Sequence, residues 1–275
     1  MTSSALPYPA AVGDVEHSFE PTARRVRVRF GNADIADTRR ALLMMGGYAP
    51  PLYELSNYYF PREDVRSDLL VPSAHRSQCA TRGEATYWTV AAGGRQAIND
   101  AWSYEAPPAG WEGIRGYVAF SWNAMDAWFE EDEQVYVHPR DPHHRVDVLR
   151  SSRHVRVRLG GEVVADSARP CLLFETGMPT RYYLPRADVR MDLLSGTATH
   201  TQCPYKGIAE YYAATVGGQR YDDIAWTYAM PVPECPKIEQ LVCFFNEKVE
   251  TEVDGVVEPP PATKWTTGIP ARDLV

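Results

Sequence analysis

The chain has 275 residues, 44% hydrophobic and 23% charged, which suits about two ordinary domains, each able to bury its own core. A formal net charge of -8 argues against a generic binder of nucleic acid or anionic membrane, while leaving room for a local basic pocket. No stretch approaches the roughly 20 apolar residues of a membrane helix, and residues 1–20 lack the basic start and apolar run of a secretory signal.

Residues 1–23, rich in Ser, Ala and Pro, read as a flexible N-terminal arm. Arg25-Val26-Arg27-Val28-Arg29-Phe30 then alternates strictly, the period of a half-buried strand, with Val26, Val28 and Phe30 on one face and the arginines on the other. Gly31-Asn32 predicts a hairpin turn into a second strand over 33–37. Further on, His154-Val155-Arg156-Val157-Arg158-Leu159 repeats the alternation, with Gly160-Gly161 turning into 162–166. Short strands are predicted over 55–60, 172–175 and 181–184. Pro61 and Pro185 end two of them, because proline cannot donate to a ladder. The segment Asp64-Val65-Arg66-Ser67-Asp68-Leu69-Leu70 reads as one helical turn with its Asp at the N-terminus. Residues 85–91 and 209–216 are aromatic and β-branched, hence strands, turned by Gly93-Gly94 and Gly217-Gly218. No helical pattern of ten or more residues occurs.

The chain carries one pattern twice. Asp64-Val65-Arg66-Ser67-Asp68-Leu69-Leu70 returns as Asp188-Val189-Arg190-Met191-Asp192-Leu193-Leu194, Gln78-Cys79 as Gln202-Cys203, and Trp102-Ser103-Tyr104 as Trp226-Thr227-Tyr228. A spacing held this long without a gap means a duplicated domain rather than a short-period solenoid. The expected domains are 24–133 and 134–257, followed by an irregular tail over 258–275. The join, Glu130 through Arg145, is too patterned for a flexible Gly/Ser linker.

Several motifs carry a resemblance: Cys203-Pro204-Tyr205-Lys206-Gly207 followed by Ala209-Glu210-Tyr211-Tyr212, Tyr182-Tyr183-Leu184-Pro185, Trp226-Thr227-Tyr228, and His138-Pro139-Arg140-Asp141-Pro142. Together they resemble the bacterial and fungal family known as domain of unknown function 427, which also bears a nucleotidyltransferase-like label. The resemblance covers about 25–257. It implies a mainly β fold with little helix: two tandem copies of a small twisted, tent-like β domain, the class shared with the translationally controlled tumour protein and the cereblon ligand-binding domain. Relatives in that class hold a structural zinc through paired CxxC motifs; this chain has no CxxC pair, so no metal and no cofactor are expected.

Comparing the copies locates the candidate site. Aligning the leucine pairs Leu42-Leu43 and Leu172-Leu173 sets Met45 against Glu175, and Cys79-Ala80-Thr81-Arg82-Gly83 faces Cys203-Pro204-Tyr205-Lys206-Gly207. The second copy thus keeps a carboxylate, a thiol, a phenol and an amine. The candidate catalytic set is Glu175 as general base, its pKa raised toward neutrality by an apolar setting, Lys206 as an electrostatic anchor or pKa-shifted amine, and Cys203 as a thiol beside that cation. Arg181, Tyr183, Tyr205, Trp226 and Tyr228 are the candidate ligand-binding residues. The bland alternative makes Cys203 a small hydrophobe, Lys206 a solvated turn residue and Glu175 a partner for Arg181. No histidine is fixed beside Cys203 by sequence.

His138, His143, His144 and Asp141 have metal-ligand types, but adjacent histidines in an extended segment point to opposite faces, and a solvated loop is the expected reading. The arginines at 25, 27 and 29 are expected to form an exposed charged face that blocks edge pairing, rather than an anion cradle. Five cysteines, an odd number without CxxC, fit a reduced cytoplasmic protein; Cys79 and Cys203 would bridge only if the two domains faced each other closely. The functional expectation is a small-molecule protein, acting as an enzyme through a Glu/Cys/Lys pocket in the second copy. The alternative is a non-catalytic ligand-binding or protein-interaction module, the latter with an exposed apolar patch around Met44-Met45-Gly46-Gly47-Tyr48. Nucleic acid and membrane are not expected partners, and the ligand class and oligomeric state stay open.

Overall fold

The computed structural model describes residues 19–45 and 55–263. The chain divides between Pro139 and Arg140 into two compact units. The first contains β1 (Phe19–Pro21), β2 (Val26–Phe30), β3 (Ala33–Thr38), β4 (Leu42–Met44), β5 (Asn57–Pro61), β6 (Leu70–Cys79), β7 (Gly83–Ala92), β8 (Arg95–Ser103), β9 (Tyr117–Phe120), β10 (Ala127–Glu130) and β11 (Glu133–Val135). The second contains β12 (Val146–Arg150), β13 (Val155–Leu159), β14 (Glu162–Ser167), β15 (Cys171–Glu175), β16 (Arg181–Leu184), β17 (Leu194–Cys203), β18 (Gly207–Val216), β19 (Gln219–Thr227), β20 (Val242–Phe244), β21 (Glu250–Val253) and β22 (Val256–Glu258). Every helical segment among the described residues is a three-residue 3-10 turn.

Each unit is a seven-stranded sheet facing a four-stranded one. The orders are β1-β4-β5-β9-β8-β7-β6 with β11-β10-β2-β3, and β12-β15-β16-β20-β19-β18-β17 with β14-β13-β21-β22. The expected mainly β tandem is therefore present. The tandem motif Asp-Val-Arg-x-Asp-Leu-Leu, expected as one helical turn, instead joins two of the 3-10 turns, as in Arg186–Asp188 and Met191–Leu193. Its first Asp closes a turn rather than opening one; it accepts from the hydroxyl of Ser167 in the second unit and of Thr38 in the first.

The boundaries differ slightly from those expected. Strand β1 begins inside the segment read as an arm, and β11 carries residues 134–135, expected in the second domain, into the first unit. Beyond β22, Thr263 is buried and donates to Glu247 Oε1 at 2.9 Å.

Strict alternation sorts side chains between two cores. In β16, Tyr182 and Leu184 enter the core between the sheets with Val155, Val157 and Phe244, while Tyr183 enters a second core on the outer face of the large sheet with Trp226, Cys243 and Ile238. In β5, Tyr58 and Phe60 take the inner side and Tyr59 the outer one. Both faces of the central strands are covered, which is why they read as unbroken apolar runs.

The ladder corrects the copy-to-copy alignment by one residue. Leu43 pairs with Tyr58 as Leu172 pairs with Tyr182, and Leu42 with Tyr59 as Cys171 with Tyr183. Met45 thus belongs to the inner core, whereas Glu175 shares the outer parity of Cys171 and Leu173. Its counterpart by register is Gly46, which lies outside the described residues. Met44 and Met45 are buried, so the apolar patch expected there is not formed by them; 46–48 lie outside the described residues.

The arginine face is a ladder of ion pairs. Arg25 pairs with Asp37, Arg27 with Asp132 at 3.1 Å and Arg29 with Asp34 at 3.0 Å; in the second unit Arg156 reaches both Asp166 and Glu252. These carboxylates neutralise the stripe, and it guards no sheet edge, because β2 pairs with both β10 and β3 and β13 with both β14 and β21.

Candidate functional site

Four segments of the second unit converge at one end of the outer core. They are the run 140–145 ahead of β12, the end of β15, the turn from Cys203 to Gly207 between β17 and β18, and the segment 231–238 after β19. Gly207 fixes the approach of the last two. It pairs with Pro231, its φ is +110°, and a Cβ there would lie 3.2 Å from the Met230 carbonyl oxygen. Lys206 O accepts from Val232 N at 3.0 Å, and Cys235 Sγ donates to Tyr205 O at 3.3 Å. From the other side Arg140 Nε donates to Pro204 O at 2.7 Å and Nη1 to Glu234 Oε1 at 2.6 Å, while the Asp141 amide donates to the Tyr205 hydroxyl at 2.7 Å.

This scaffold places Lys206 Nζ 2.5 Å from Glu175 Oε2, and His144 Nε2 3.1 Å from Oε1 of the same carboxylate. The three side chains are 12%, 9% and 2% exposed for Lys206, Glu175 and His144. The His144 ring lies against Tyr205, centroids 4.3 Å apart. The expected pKa of Glu175 is reversed. Burial pushes the carboxyl up, but the Lys206 ammonium and the hydrogen bonds from His144 and Lys206 outweigh it and hold Glu175 at about 2. Burial works against charge on Lys206 as well, yet Cys203 and Glu175 keep its pKa above the ordinary value. Glu175 is thus a fixed anion with both oxygens engaged, not a base poised near neutrality.

The alternative partner proposed for Glu175 is otherwise occupied. Arg181 is buried and forks onto Glu247, with both contacts at 2.6 Å, and its Nη1 reaches Asn246 at 3.1 Å. Its guanidinium lies over Trp226 and Phe245 at 5.5 and 5.9 Å. Trp226 Nε1 donates to the Tyr183 hydroxyl at 3.1 Å, and Tyr183 and Tyr228 are buried with pKa values pushed well above 10 by burial. The structure therefore brings Glu175, Lys206 and Tyr205 together with His144. It sets Tyr183, Trp226, Tyr228 and Arg181 in the apolar core beneath.

His144 was missed because it was read as part of a solvated loop. That reading fails: His138 and Asp141 are buried and the His144 side chain is nearly so, while the adjacent His143 is exposed. The one usable signal was the opposite-face rule for neighbouring residues in extended chain. Among the described residues, no three His, Cys, Asp or Glu side chains are grouped so as to hold a metal ion.

The thiols separate into classes. Burial raises the pKa of Cys171, Cys235 and Cys243, the last to about 12, and all five cysteines are free. Cys203 is partly exposed at the head of the Lys206 turn. Its first-unit counterpart Cys79 is also partly exposed. There burial pushes the thiol up, but the Thr81 hydroxyl, the Arg82 and Thr81 amides and the Arg82 charge bring its pKa below the ordinary value. A cation one turn from a thiol is thus built into both units, which sequence comparison had weighed only for the second.

Fold and site define a duplicated, mainly β protein with one polar cluster elaborated in the second copy. A family described as Domain of unknown function (DUF427) matches residues 18–131 and again 147–255, and the chain belongs to that family as a tandem pair. No curated protein matches the chain. No helix among the described residues is long and apolar enough to cross a membrane.

Proposed function

We propose that the second unit binds and transforms a small metabolite at the turn holding Cys203 and Lys206. Cys203 is the nucleophile, Lys206 the cation that steadies negative charge developing on the substrate, and Glu175 with His144 the brace that fixes Lys206. The observation that carries this reading is the buried Lys206–Glu175–His144 cluster. A buried ion pair is poor value for stability, since well-packed apolar residues of similar volume serve as well or better. The equivalent turn of the first unit has Arg82 against Met44 Sδ at 3.0 Å instead. A cytoplasmic setting would keep the free thiols reduced.

The test is thermal unfolding of wild type, Cys203→Ala and Glu175→Gln against a panel of nucleotides, sugars, amino acids and acyl donors, followed by turnover assays on any hit. A ligand at 100 times its Kd adds about 2.7 kcal/mol to stability. A compound that stabilises wild type, is consumed by it, and is not consumed by Cys203→Ala supports the enzyme. A compound bound equally by wild type and Cys203→Ala and consumed by neither makes the site a binding module.

A further inference from the structure

We propose that Cys203 and Cys235 form a reversible disulfide that switches this site off, a regulation resting on the reading of Cys203 as the site's reactive thiol. Both residues flank one turn. Cys203 closes β17 opposite Gly207, so Pro204, Tyr205 and Lys206 form a three-residue connection. Cys235 Sγ is held at the middle of that connection by its bond to the Tyr205 carbonyl. The chain leading to Cys235 is laced to the same turn through the Gly207–Pro231 bridge and the Val232-to-Lys206 bond, and the Cys235 amide closes back on Val232 O at 2.9 Å. Burial raises the pKa of the Cys235 thiol, and the Lys206 ammonium partly offsets that rise.

Exposure assigns the order of events. Cys203 is accessible and Cys235 is 1% exposed, so Cys203 meets an oxidant first. With a hydroperoxide, the Cys203 thiolate attacks the terminal oxygen and the O–O bond breaks. The other oxygen leaves, protonated, as alcohol or water, and sulfur is oxidised to the sulfenic acid. Cys235 sulfur then attacks Cys203 sulfur and the S–O bond breaks. The hydroxyl departs with the Cys235 proton as water, leaving the S–S bond. A dithiol reverses it. The disulfide removes the thiol from the turn and the Sγ–H donor from Tyr205 O. The first unit supplies an internal comparison: it keeps Cys79, but Trp111 precedes its Glu112–Ile114 turn where Cys235 precedes Pro236–Ile238. Cys79 has no such resolving thiol and should stop at the sulfenic acid.

The test treats the reduced full-length chain with hydrogen peroxide and maps its peptides without reduction. Wild type should give a Cys203–Cys235 linked pair that dithiothreitol separates, with dimedone labelling confined to Cys79. Cys235→Ser, with Cys235→Ala as a second variant should Ser not fold, should turn Cys203 into a dimedone-labelled residue. If wild-type Cys203 takes dimedone as fully as in the variants while Cys235 stays alkylatable, the disulfide is overturned and the reactive-thiol reading stands. If Cys203 resists peroxide and dimedone in every protein, both fall.

Discussion

Lys206 Nζ and Glu175 Oε2 lie 2.5 Å apart where little water reaches either. Removing one partner of such a pair leaves a buried, uncompensated charge and costs about 3–5 kcal/mol, whereas removing both with apolar replacements is often close to neutral. Lys206→Met should therefore destabilise strongly, and Lys206→Met/Glu175→Leu should recover most of the loss. Urea unfolding of the four proteins closes the cycle. Additive single-variant costs would show that the two groups do not depend on one another.

The same carboxylate sets a pH dependence. Its folded value of about 2 lies below the ordinary 4.5, so the folded state binds fewer protons across that interval. Its contribution is complete above about pH 5 and is lost as pH falls through 2, on the order of 3 kcal/mol in all. Asp166, Asp188 and Asp254 shift in the same direction, so the informative quantity is a difference between proteins. Glu175→Gln should be less stable than wild type at pH 6, and the gap should narrow steadily toward pH 2. A gap that stays constant over that range would show that Glu175 is not held ionised.

Much of the fold was legible because its signals are local. Val26, Val28 and Phe30 alternate with arginines along β2, and paired glycines turn the hairpins. The site was legible only in part. Glu175, Lys206 and Tyr205 stood out because the second copy differs from the first at those places, but His144 meets Glu175 across 31 positions through tertiary packing alone. The alignment slip has a physical origin too. The first unit uses a longer connection from Met44 to Asn57 than the second from Leu173 to Arg181. With both faces of β4 and β15 apolar, hydrophobic pattern cannot say which leucine faces which sheet; only the ladder does.

Arg181 and Glu247 form a second buried pair, 6% and 1% exposed, and it ties down the chain beyond β22, because Thr263 donates to the same carboxylate. Burial opposes the charge on Glu247, but the Arg181 bonds and charge win and lower its pKa. Arg181→Met should cost about 3–5 kcal/mol. Glu247→Gln should in addition speed amide hydrogen exchange over 258–263. Unchanged exchange there would mean the Thr263 contact does not anchor the segment.

Gly31 and Gly94 both have positive φ, +55° and +74°, but only one is crowded. A Cβ on Gly31 would lie 2.3 Å from the Ala92 carbonyl oxygen, so the hairpin joining β2 and β3 sits directly on the end of β7; a Cβ on Gly94 meets nothing within 4 Å. Gly94→Ala should therefore cost only the left-handed backbone term, about 1–2 kcal/mol. Gly31→Ala carries that term and must also push two hairpins apart, opening the inner core to which Phe30 and Ala92 both belong. Chemical unfolding should find Gly31→Ala clearly the worse of the two, with faster exchange at the β2–β3 hairpin. Equal losses would mean that the backbone conformation alone, and not the close approach, demands glycine at position 31.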